Sequence, residues 1–206
     1  MKKTPDISLK RLLLYRKCLI GMENDGIALT SSRKMGDLLS VNPDTVRKDI
    51  SLLCGCQGRK GIGYDVRTLR ESVEKYLGMN EPKNIIICGV GNIGQALLNY
   101  QQWASRGFRI TAAFDRDKRK TARAINGIPV MEDEQMADYL RDNKIDIAVV
   151  SVSSESTKEK IMELYAFGIK SFYVISSRVI EAPADAQIEY LDMVAPLEIL
   201  IHKKRT

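Results

Sequence analysis

A glycine-rich turn at residues 88–100, CGVGNIGQALLNY, is the stretch of this sequence with the most specific chemistry. Gly89, Gly91 and Gly94 follow a short apolar strand and open a predicted helix, which is the setting of a pyrophosphate-binding turn. The first glycine permits the tight turn, the second lets the backbone approach pyrophosphate, and the third lets helix and strand pack closely. Free N–H groups at the helix start would attract the phosphates. The other candidate contacts in this turn are Val90, Asn92 and Ile93.

An acidic residue at the end of the next predicted strand is the second signal of a dinucleotide site. Asp115 can accept hydrogen bonds from the adenosine ribose hydroxyls, and its charge repels a 2′-phosphate. The sequence therefore favours NAD(H) over NADP(H), although Arg116 and Arg119 could accommodate the phosphate. The remaining candidate cofactor contacts are Arg116, Val152, Ser153 and Tyr100.

Strands and helices alternate through the second part of the chain. Strands are predicted over 84–88, 108–115, 145–152 and 171–175, and helices over 92–105, 133–142, 154–168 and 193–204. This alternation predicts an α/β unit with a doubly wound parallel sheet of the Rossmann type. A turn of this kind usually lies near the start of an enzyme, yet here about eighty residues precede it.

Two helices are predicted at the start of the chain. The first spans 8–22, where apolar residues recur at helical spacing: Leu9, Leu12, Leu13, Tyr15, Leu19 and Ile20. Thr30, Ser31 and Ser32 can cap a second, short helix. The residues expected to face inward from that helix are Met35, Leu38 and Leu39.

A third helix follows a tight turn at Ser40 and begins at Asn42-Pro43, where asparagine caps and proline loses no hydrogen bond. Val46, Ile50 and Leu53 form one buried stripe. The residues directed outward are therefore Asp44, Thr45, Arg47, Lys48 and Ser51. A short helix, a tight turn and a polar-faced helix are typical of a helix-turn-helix.

The stretch GCQGRKGIGY at residues 55–64 is too rich in glycine for a helix. It has the composition of a hairpin tip carrying Arg59 and Lys60, as in the wing of a winged helix. Asp65 can cap a further helix that ends near Leu77, and residues 80–82 are predicted to form a linker.

Positive charge is confined to the first part of the chain. Residues 1–80 hold 15 Lys and Arg against 9 Asp and Glu, a net of +6, while residues 81–206 hold 17 of each. A basic segment joined to a neutral one indicates that the first part binds a polyanion. The candidate DNA contacts are Ser31, Ser32, Arg33, Asn42, Thr45, Arg47, Lys48, Arg59 and Lys60.

Composition excludes several other classes of protein. No apolar run approaches the roughly 18 residues that span a bilayer. The first apolar stretch is interrupted by Arg16 and Lys17 and does not resemble a signal peptide, so a cytoplasmic protein without membrane contact is expected. His202 is the only histidine, and the four cysteines form no CxxC pair, so we expect no metal site and reduced thiols. Cys54 and Cys56 could instead act as a thiol sensor.

Several motifs in this order resemble the Rex family of redox-sensing transcriptional repressors. They are TVRKD at 45–49, RKGIGYDV at 59–66, GVGNIGQALLNY at 89–100, AFD at 113–115, GIPV at 127–130, GIK at 168–170 and LD at 191–192. The resemblance covers nearly the whole chain, and TVRKD with RKGIGY is far more specific than the glycine turn alone.

The resemblance implies a homodimer with three segments: a winged-helix DNA-binding domain at 1–80, a Rossmann NAD(H)-binding domain at 83–190 and a C-terminal dimerisation helix at 191–206. That helix packs across into the partner subunit. The dimer binds a palindromic operator when NADH is scarce and releases it when NADH rises. Tyr100 would reach Asp192 of the partner subunit in this coupling, and the family's first-helix arginine aligns with Lys17, beside Arg16.

Two stretches depart from the family pattern. ISLLCG at 50–55 replaces an aromatic FSYFG, and YVISS at 173–177 replaces NFAP near the nicotinamide. A DNA-binding regulator whose Rossmann unit only dimerises is therefore one alternative. A small NAD-dependent oxidoreductase is another, but roughly 125 residues after the linker leave little beyond a cofactor domain, so we expect that the chain is not an enzyme.

Overall fold

The structure, a computed structural model, describes residues 6–51, 53, 58–59, 61–79 and 81–203. The chain separates into two compact units, Met1–Glu81 and Pro82–Thr206. Within the described ranges, no helix combines the length and the apolar character needed to cross a membrane.

The first unit is a helical domain with a small antiparallel sheet. Its helices are α1 (Asp6–Asn24), α2 (Ser32–Leu39), α3 (Pro43–Ser51) and α4 (Val66–Tyr76). Strand β1 (Leu29–Thr30) pairs with β2 (Tyr64–Asp65). All four helices contribute to the buried core, which includes Leu12, Tyr15, Leu19, Met35, Val46, Ile50, Leu69 and Val73.

Side-chain caps begin these helices where the sequence predicts them. The Ser31 hydroxyl accepts a hydrogen bond from the Lys34 N–H at 3.1 Å, and the Asp65 carboxylate accepts one from the Thr68 N–H at 2.8 Å. The backbone turns so tightly between α2 and α3 that a Cβ on Gly36 would lie 2.4 Å from the Val41 carbonyl oxygen. Only glycine fits at this contact between the two helices.

Leu38 does not face inward as predicted, and Leu13 of the apolar pattern in α1 is exposed as well. Leu38 is 61% exposed and Leu13 is 49% exposed. In α2 the step from Met35 to Leu39 is slightly more than one turn, so Leu39 lies on the buried face and Leu38 beside it. Leu13 likewise lies about 100° around α1 from the buried Leu12.

A buried carboxylate joins α3 to α1. Asp49 accepts hydrogen bonds from Arg11 Nε at 2.7 Å, from an Arg11 terminal nitrogen at 3.0 Å and from the Tyr15 hydroxyl at 2.8 Å. Burial opposes ionisation of Asp49, but the bonds from Arg11 and Tyr15 outweigh it and lower the pKa of the carboxyl. The helix that carries the candidate DNA contacts is thus fixed by charged hydrogen bonds as well as by apolar packing.

The second unit is built around a seven-stranded sheet in the described chain. Its strands are β3 (Lys83–Cys88), β4 (Phe108–Asp115), β5 (Arg123–Ile125), β6 (Ile128–Glu132), β7 (Ile147–Val150), β8 (Ser171–Val174) and β9 (Gln187–Tyr190). Its helices are α5 (Asn92–Asn99), α6 (Met136–Asp142), α7 (Ser154–Ala166) and α8 (Ala195–Lys203).

The strand order β5-β6-β4-β3-β7-β8-β9 is that of a doubly wound sheet. All neighbours are parallel except the β5–β6 pair. Leu98 of α5 packs in the core on one face, and Ile161 and Leu164 of α7 pack on the other. The predicted Rossmann-type fold is confirmed.

Several boundaries differ from the prediction. The helix predicted over 92–105 ends at Asn99, because the backbone of Tyr100 is extended. The Trp103 indole N–H donates a hydrogen bond to the Leu97 carbonyl oxygen at 2.8 Å, in place of a backbone N–H of a continuing helix. The chain then turns through Ala104–Arg106 to Gly107 at φ 82°. The predicted strand over 145–152 is confined to Ile147–Val150, and the last helix starts at Ala195 rather than 193. Strands β5, β6 and β9 were not predicted.

We predict that Asp49→Asn lowers the free energy of unfolding of the full chain by about 2–3 kcal/mol at pH 7, because Arg11 loses the anion that holds it. Since folding lowers the pKa of Asp49, its stabilisation is present above the ordinary carboxyl pKa of about 4 and is lost as the pH falls through the lowered value. The variant should therefore lose less stability on acidification than the wild type.

Urea unfolding followed by circular dichroism measures both effects. Asp44→Asn is the matched control: it removes an exposed carboxylate from the same helix and should cost no more than about 1 kcal/mol. Equal stability losses in the two variants would contradict the assigned role of Asp49.

Candidate dinucleotide site and nucleic-acid interface

The three glycines of the turn play three different structural roles. Gly89 has φ 97°, and a Cβ there would lie 2.3 Å from the Ser151 carbonyl oxygen. A Cβ on Gly94 would lie 2.0 Å from the Gly89 carbonyl oxygen, so helix α5 packs directly on the turn. A Cβ on Gly91 would meet no protein atom within 4 Å. The turn is therefore closed at Gly89 and Gly94 and open at Gly91.

Helix α5 starts at this open position. Gly91 is its N-cap residue and supplies no side-chain hydrogen bond to the first turn. The first N–H groups of α5 thus have no side-chain acceptor, and the positive end of the helix dipole lies with them. This arrangement suits a phosphate group.

Asp115 lies at the end of β4 and holds the turn in place. Its Oδ2 accepts a hydrogen bond from the Val90 N–H at 2.7 Å and lies 3.4 Å from Lys120 Nζ, while Oδ1 accepts from the Asp117 N–H at 2.8 Å. The side chain is 10% exposed. The residue predicted to bind ribose is thus already oriented by the protein.

A cavity of about 280 Å³ opens at the carboxyl ends of the central strands. Six predicted cofactor residues line it: Gly89, Gly91, Asp115, Arg116, Val152 and Ser153. Six further residues line it that the sequence did not single out: Phe114, Lys120, Asp133, Ser151, Ser156 and Lys160. Asp133 directly follows β6, so interpreting residues 128–132 as a strand would have predicted it.

Other predicted contacts lie elsewhere. The Val90 side chain is buried in the core, so Val90 takes part through its N–H to Asp115. Asn92 and Ile93 are on the first turn of α5 but do not line the cavity. Tyr100 is at the opposite end of α5, where it donates to Gln102 and lines a second cavity of about 600 Å³ with Trp103 and Phe108. Tyr100 therefore does not line the cavity at Asp115, and its contact with the cofactor stays a prediction.

A buried thiol lies directly before the turn. Cys88 is fully buried at the end of β3, and burial raises the pKa of its thiol to about 12. A thiol in this state is a poor nucleophile, so Cys88 acts as an apolar core residue. Cys54 and Cys56 lie outside the described residues.

In the first unit, α3 presents a polar face. Arg47 and Lys48 are exposed and Thr45 is half-buried, on the side of α3 opposite the buried Val46 and Ile50. Arg47 pairs with Asp44 one turn away. Four predicted contacts lie at the helix starts nearby: Ser31, Ser32, Arg33 and Asn42.

The predicted wing is a tight hairpin. Arg59 and Gly63 exchange backbone hydrogen bonds of 2.9 Å, with Gly61 in the left-handed region at the tip. A Cβ on Gly63 would lie 2.1 Å from the Thr30 carbonyl oxygen, so the hairpin packs directly beside the start of α2. Arg59 is exposed, whereas Lys60 lies outside the described residues.

Both units of the chain are similar to parts of known proteins. The profile of a putative DNA-binding protein N-terminus matches residues 3–51, and that of a CoA binding domain matches residues 80–178. The redox-sensing transcriptional repressor Rex of Lactobacillus acidophilus is 34% identical over 97% of this chain and 94% of its own length. That of Desulfitobacterium hafniense is 30% identical, covering 96% and 94%. The chain belongs to the Rex family.

Solved structures of a Rex-family repressor have the same fold. RSP in complex with β-NAD⁺ and operator DNA matches with a TM-score of 0.89 and 27% identity, covering 98% of this chain and 93% of RSP. RSP in complex with β-NADH matches with a TM-score of 0.86 and 25% identity, covering 98% and 95%. The family resemblance stated from the sequence motifs is thus confirmed.

We predict that one glycine substitution in the turn weakens dinucleotide binding and that another lowers the stability of the fold. Gly91→Ala should leave stability within about 0.5 kcal/mol of wild type, because its Cβ meets no protein atom, yet weaken dinucleotide binding at least about tenfold. Gly94→Ala should destabilise the fold by about 1–3 kcal/mol, because its Cβ would overlap the Gly89 carbonyl. Thermal unfolding and a dinucleotide titration check the pair; unchanged affinity in Gly91→Ala would contradict phosphate binding at this turn.

Proposed function

We propose that this chain is a transcriptional repressor that binds operator DNA with its first unit and NAD(H) with its second, and so responds to the cellular redox state. The observation that carries the proposal is the open glycine turn at Gly91 above a cavity that Asp115 lines. It lies in the same chain as a helix-turn-helix with a cationic face. The named Rex relatives are transcriptional repressors, which supports a regulator rather than an enzyme.

In the proposed complex, α3 enters the major groove of DNA. Arg47, Lys48, Thr45 and Asn42 approach base edges and phosphates there. Arg33 and the wing residue Arg59 contact the backbone, together with Ser31 and Ser32 at the start of α2. Phosphate contacts of this kind make the affinity depend on salt, whereas base contacts give the sequence preference.

In the proposed cofactor complex, the first turn of α5 holds the pyrophosphate and Asp115 accepts from the ribose. The nicotinamide supplies the redox-dependent difference, because its ring is positively charged when oxidised and neutral when reduced. RSP has been crystallised with both β-NAD⁺ and β-NADH, which supports the proposal that this related chain binds both forms.

We propose that the chain works as a homodimer through α8. Four of its apolar residues are between 56% and 61% exposed: Leu197, Ile199, Leu200 and Ile201. An apolar patch of this kind indicates a protein contact, and packing across into a second copy would cover it. A two-fold dimer places two α3 helices on a palindromic operator.

The candidate coupling residues differ in how free they are to change partners. Arg16 is buried and bonds Glu74 at 2.9 Å, whereas Lys17 is exposed. Asp192 accepts from the Val194 N–H at 2.8 Å and from the N–H of Ala195, the first residue of α8, at 3.2 Å, so it caps the start of that helix. We therefore propose Lys17, with Tyr100 and Asp192, as the coupling set, and assign Arg16 to the packing of α1 on α4.

Replacing Arg47 and Lys48 together by alanine should weaken operator binding at least about 100-fold, because each contact to DNA contributes about 1–3 kcal/mol. NADH affinity should stay the same, since neither residue belongs to the second unit. Gel shift and fluorescence titration measure the two properties.

The matched control is the double variant Arg67→Ala, Lys75→Ala. It removes the same charge from exposed positions of α4 and should change operator affinity only a few-fold. Operator affinity that falls equally in both variants would place the DNA contact elsewhere.

Calorimetry tests the coupling itself. A dimer that releases DNA when NADH binds must bind NADH more weakly on operator DNA, by the same factor and commonly about 5- to 150-fold. Equal NADH affinity with and without the operator would contradict a redox sensor. The absence of any NADH binding would favour a Rossmann unit that only dimerises.

A further inference from the structure

Buried charged side chains line the cavity together with the apolar Phe114 and Val152. Lys160 of α7 is 2% exposed, and Asp133, at the end of β6, is 16% exposed. Both line the cavity, together with Ser156. Charged groups with so little solvent contact are costly to bury unless each has a partner.

The two residues form a closed ion-pair cluster. Lys160 Nζ lies 2.8 and 2.9 Å from the two oxygens of Asp133 and 2.7 Å from Glu163 Oε2. Burial opposes the charge on Lys160, but the bonds from Asp133 and Glu163 outweigh it and raise the pKa of the ammonium. Glu163 is not part of the cavity wall.

Of the two cavity-lining groups in the cluster, the hydrogen bonds leave only the carboxylate of Asp133 free to bind a ligand. An ammonium has three donors, and the three contacts of Lys160 use them all. A carboxylate offers about four acceptor positions. Those of Asp133 are used by Lys160 on both oxygens and by Arg116 Nε at 3.3 Å, so one position on Oδ1 remains. The cluster therefore retains a free acceptor position on Asp133, which lines the cavity, and no free ammonium donor.

The position of this acceptor relative to the cofactor site follows from the other contacts. If the pyrophosphate lies at Gly91 and the ribose at Asp115, a base in the remainder of the cavity lies among the other lining residues, which include Asp133 and Lys160. Adenine carries an exocyclic amine, which donates a hydrogen bond. Hypoxanthine has an oxygen in the same place, which would face a carboxylate with repulsion.

We infer that Asp133 recognises the adenine base of the dinucleotide by accepting a hydrogen bond from its exocyclic amine, and that Lys160 is the positioning residue that orients this carboxylate. The inference rests on the proposed NAD(H) binding and adds to it a determinant of base specificity. Lys160 contributes no hydrogen bond to the base.

The experiment compares NADH with reduced nicotinamide hypoxanthine dinucleotide, which differs only at the base. Both are titrated into the full-length chain and followed by nicotinamide fluorescence. The wild type should bind NADH at least about tenfold more tightly, as expected for one charge-assisted hydrogen bond replaced by a repulsive contact. Asp133→Asn should bind the two within about threefold, because an amide can both accept and donate.

The control and the positioning variant belong to the same cluster. Glu163→Gln removes the charge of one partner of Lys160 outside the cavity, so it should keep the wild-type ratio of affinities. Lys160→Gln should reduce that ratio, while Lys160→Arg, which keeps the cation, should restore most of it. A purely structural role for Lys160 would lower both affinities equally and leave the ratio unchanged.

Each outcome decides the inference. Equal affinities of the wild type for the two dinucleotides would overturn the role of Asp133 and leave the proposed cofactor binding intact. A wild-type ratio in Asp133→Asn would do the same. Failure of the wild type to bind either dinucleotide would overturn both proposals.

Discussion

The second unit depends on the close approach of two backbone segments at the end of the central strand. The glycine turn after β3 lies against the Ser151 carbonyl after β7, and α5 packs on the turn itself at Gly94. Neither contact leaves room for a Cβ. Both contacts lie where the strand order reverses, with β4 on one side of β3 and β7 on the other. Helices leave on opposite faces at such a point, so a crevice opens at the carboxyl ends of the strands.

Asp115 has two roles in this crevice. Its bond to the Val90 N–H fixes the turn, and the same carboxylate lines the cavity where a ribose would bind. A group held in position by the protein loses little conformational freedom when a ligand arrives, so its hydrogen bonds contribute more to affinity. Asp133 is held in the same manner by Lys160. Both acidic groups are thus oriented by cations or N–H groups of the chain.

The sequence predicted the elements that a local pattern can specify. The stripe of Val46 and Ile50, the cap at Asp65 and the glycine turn each depend on residues within a few positions of one another. The buried charges could not be predicted in this way, because Asp49 bonds Arg11 from 38 positions away and Lys160 bonds Asp133 from 27. Strands β5 and β9, three and four residues long, are too short for an alternation to stand out.

The proposed coupling has a physical limit set by Asp192. Its carboxylate caps the start of α8 by accepting from the Val194 and Ala195 N–H groups, and losing such a cap costs about 0.5–2 kcal/mol. A dimer arrangement in which Asp192 turns away from α8 to pair with another residue must first offset that cost. Allosteric coupling free energies are commonly about 1–3 kcal/mol, so the new contacts of Asp192 must exceed the cap by a similar amount. An exposed cation such as Lys17 gains little from one ion pair in water. The proposed coupling therefore requires that the dimer bury the new contacts of Asp192, which the apolar face of α8 beside it is suited to do.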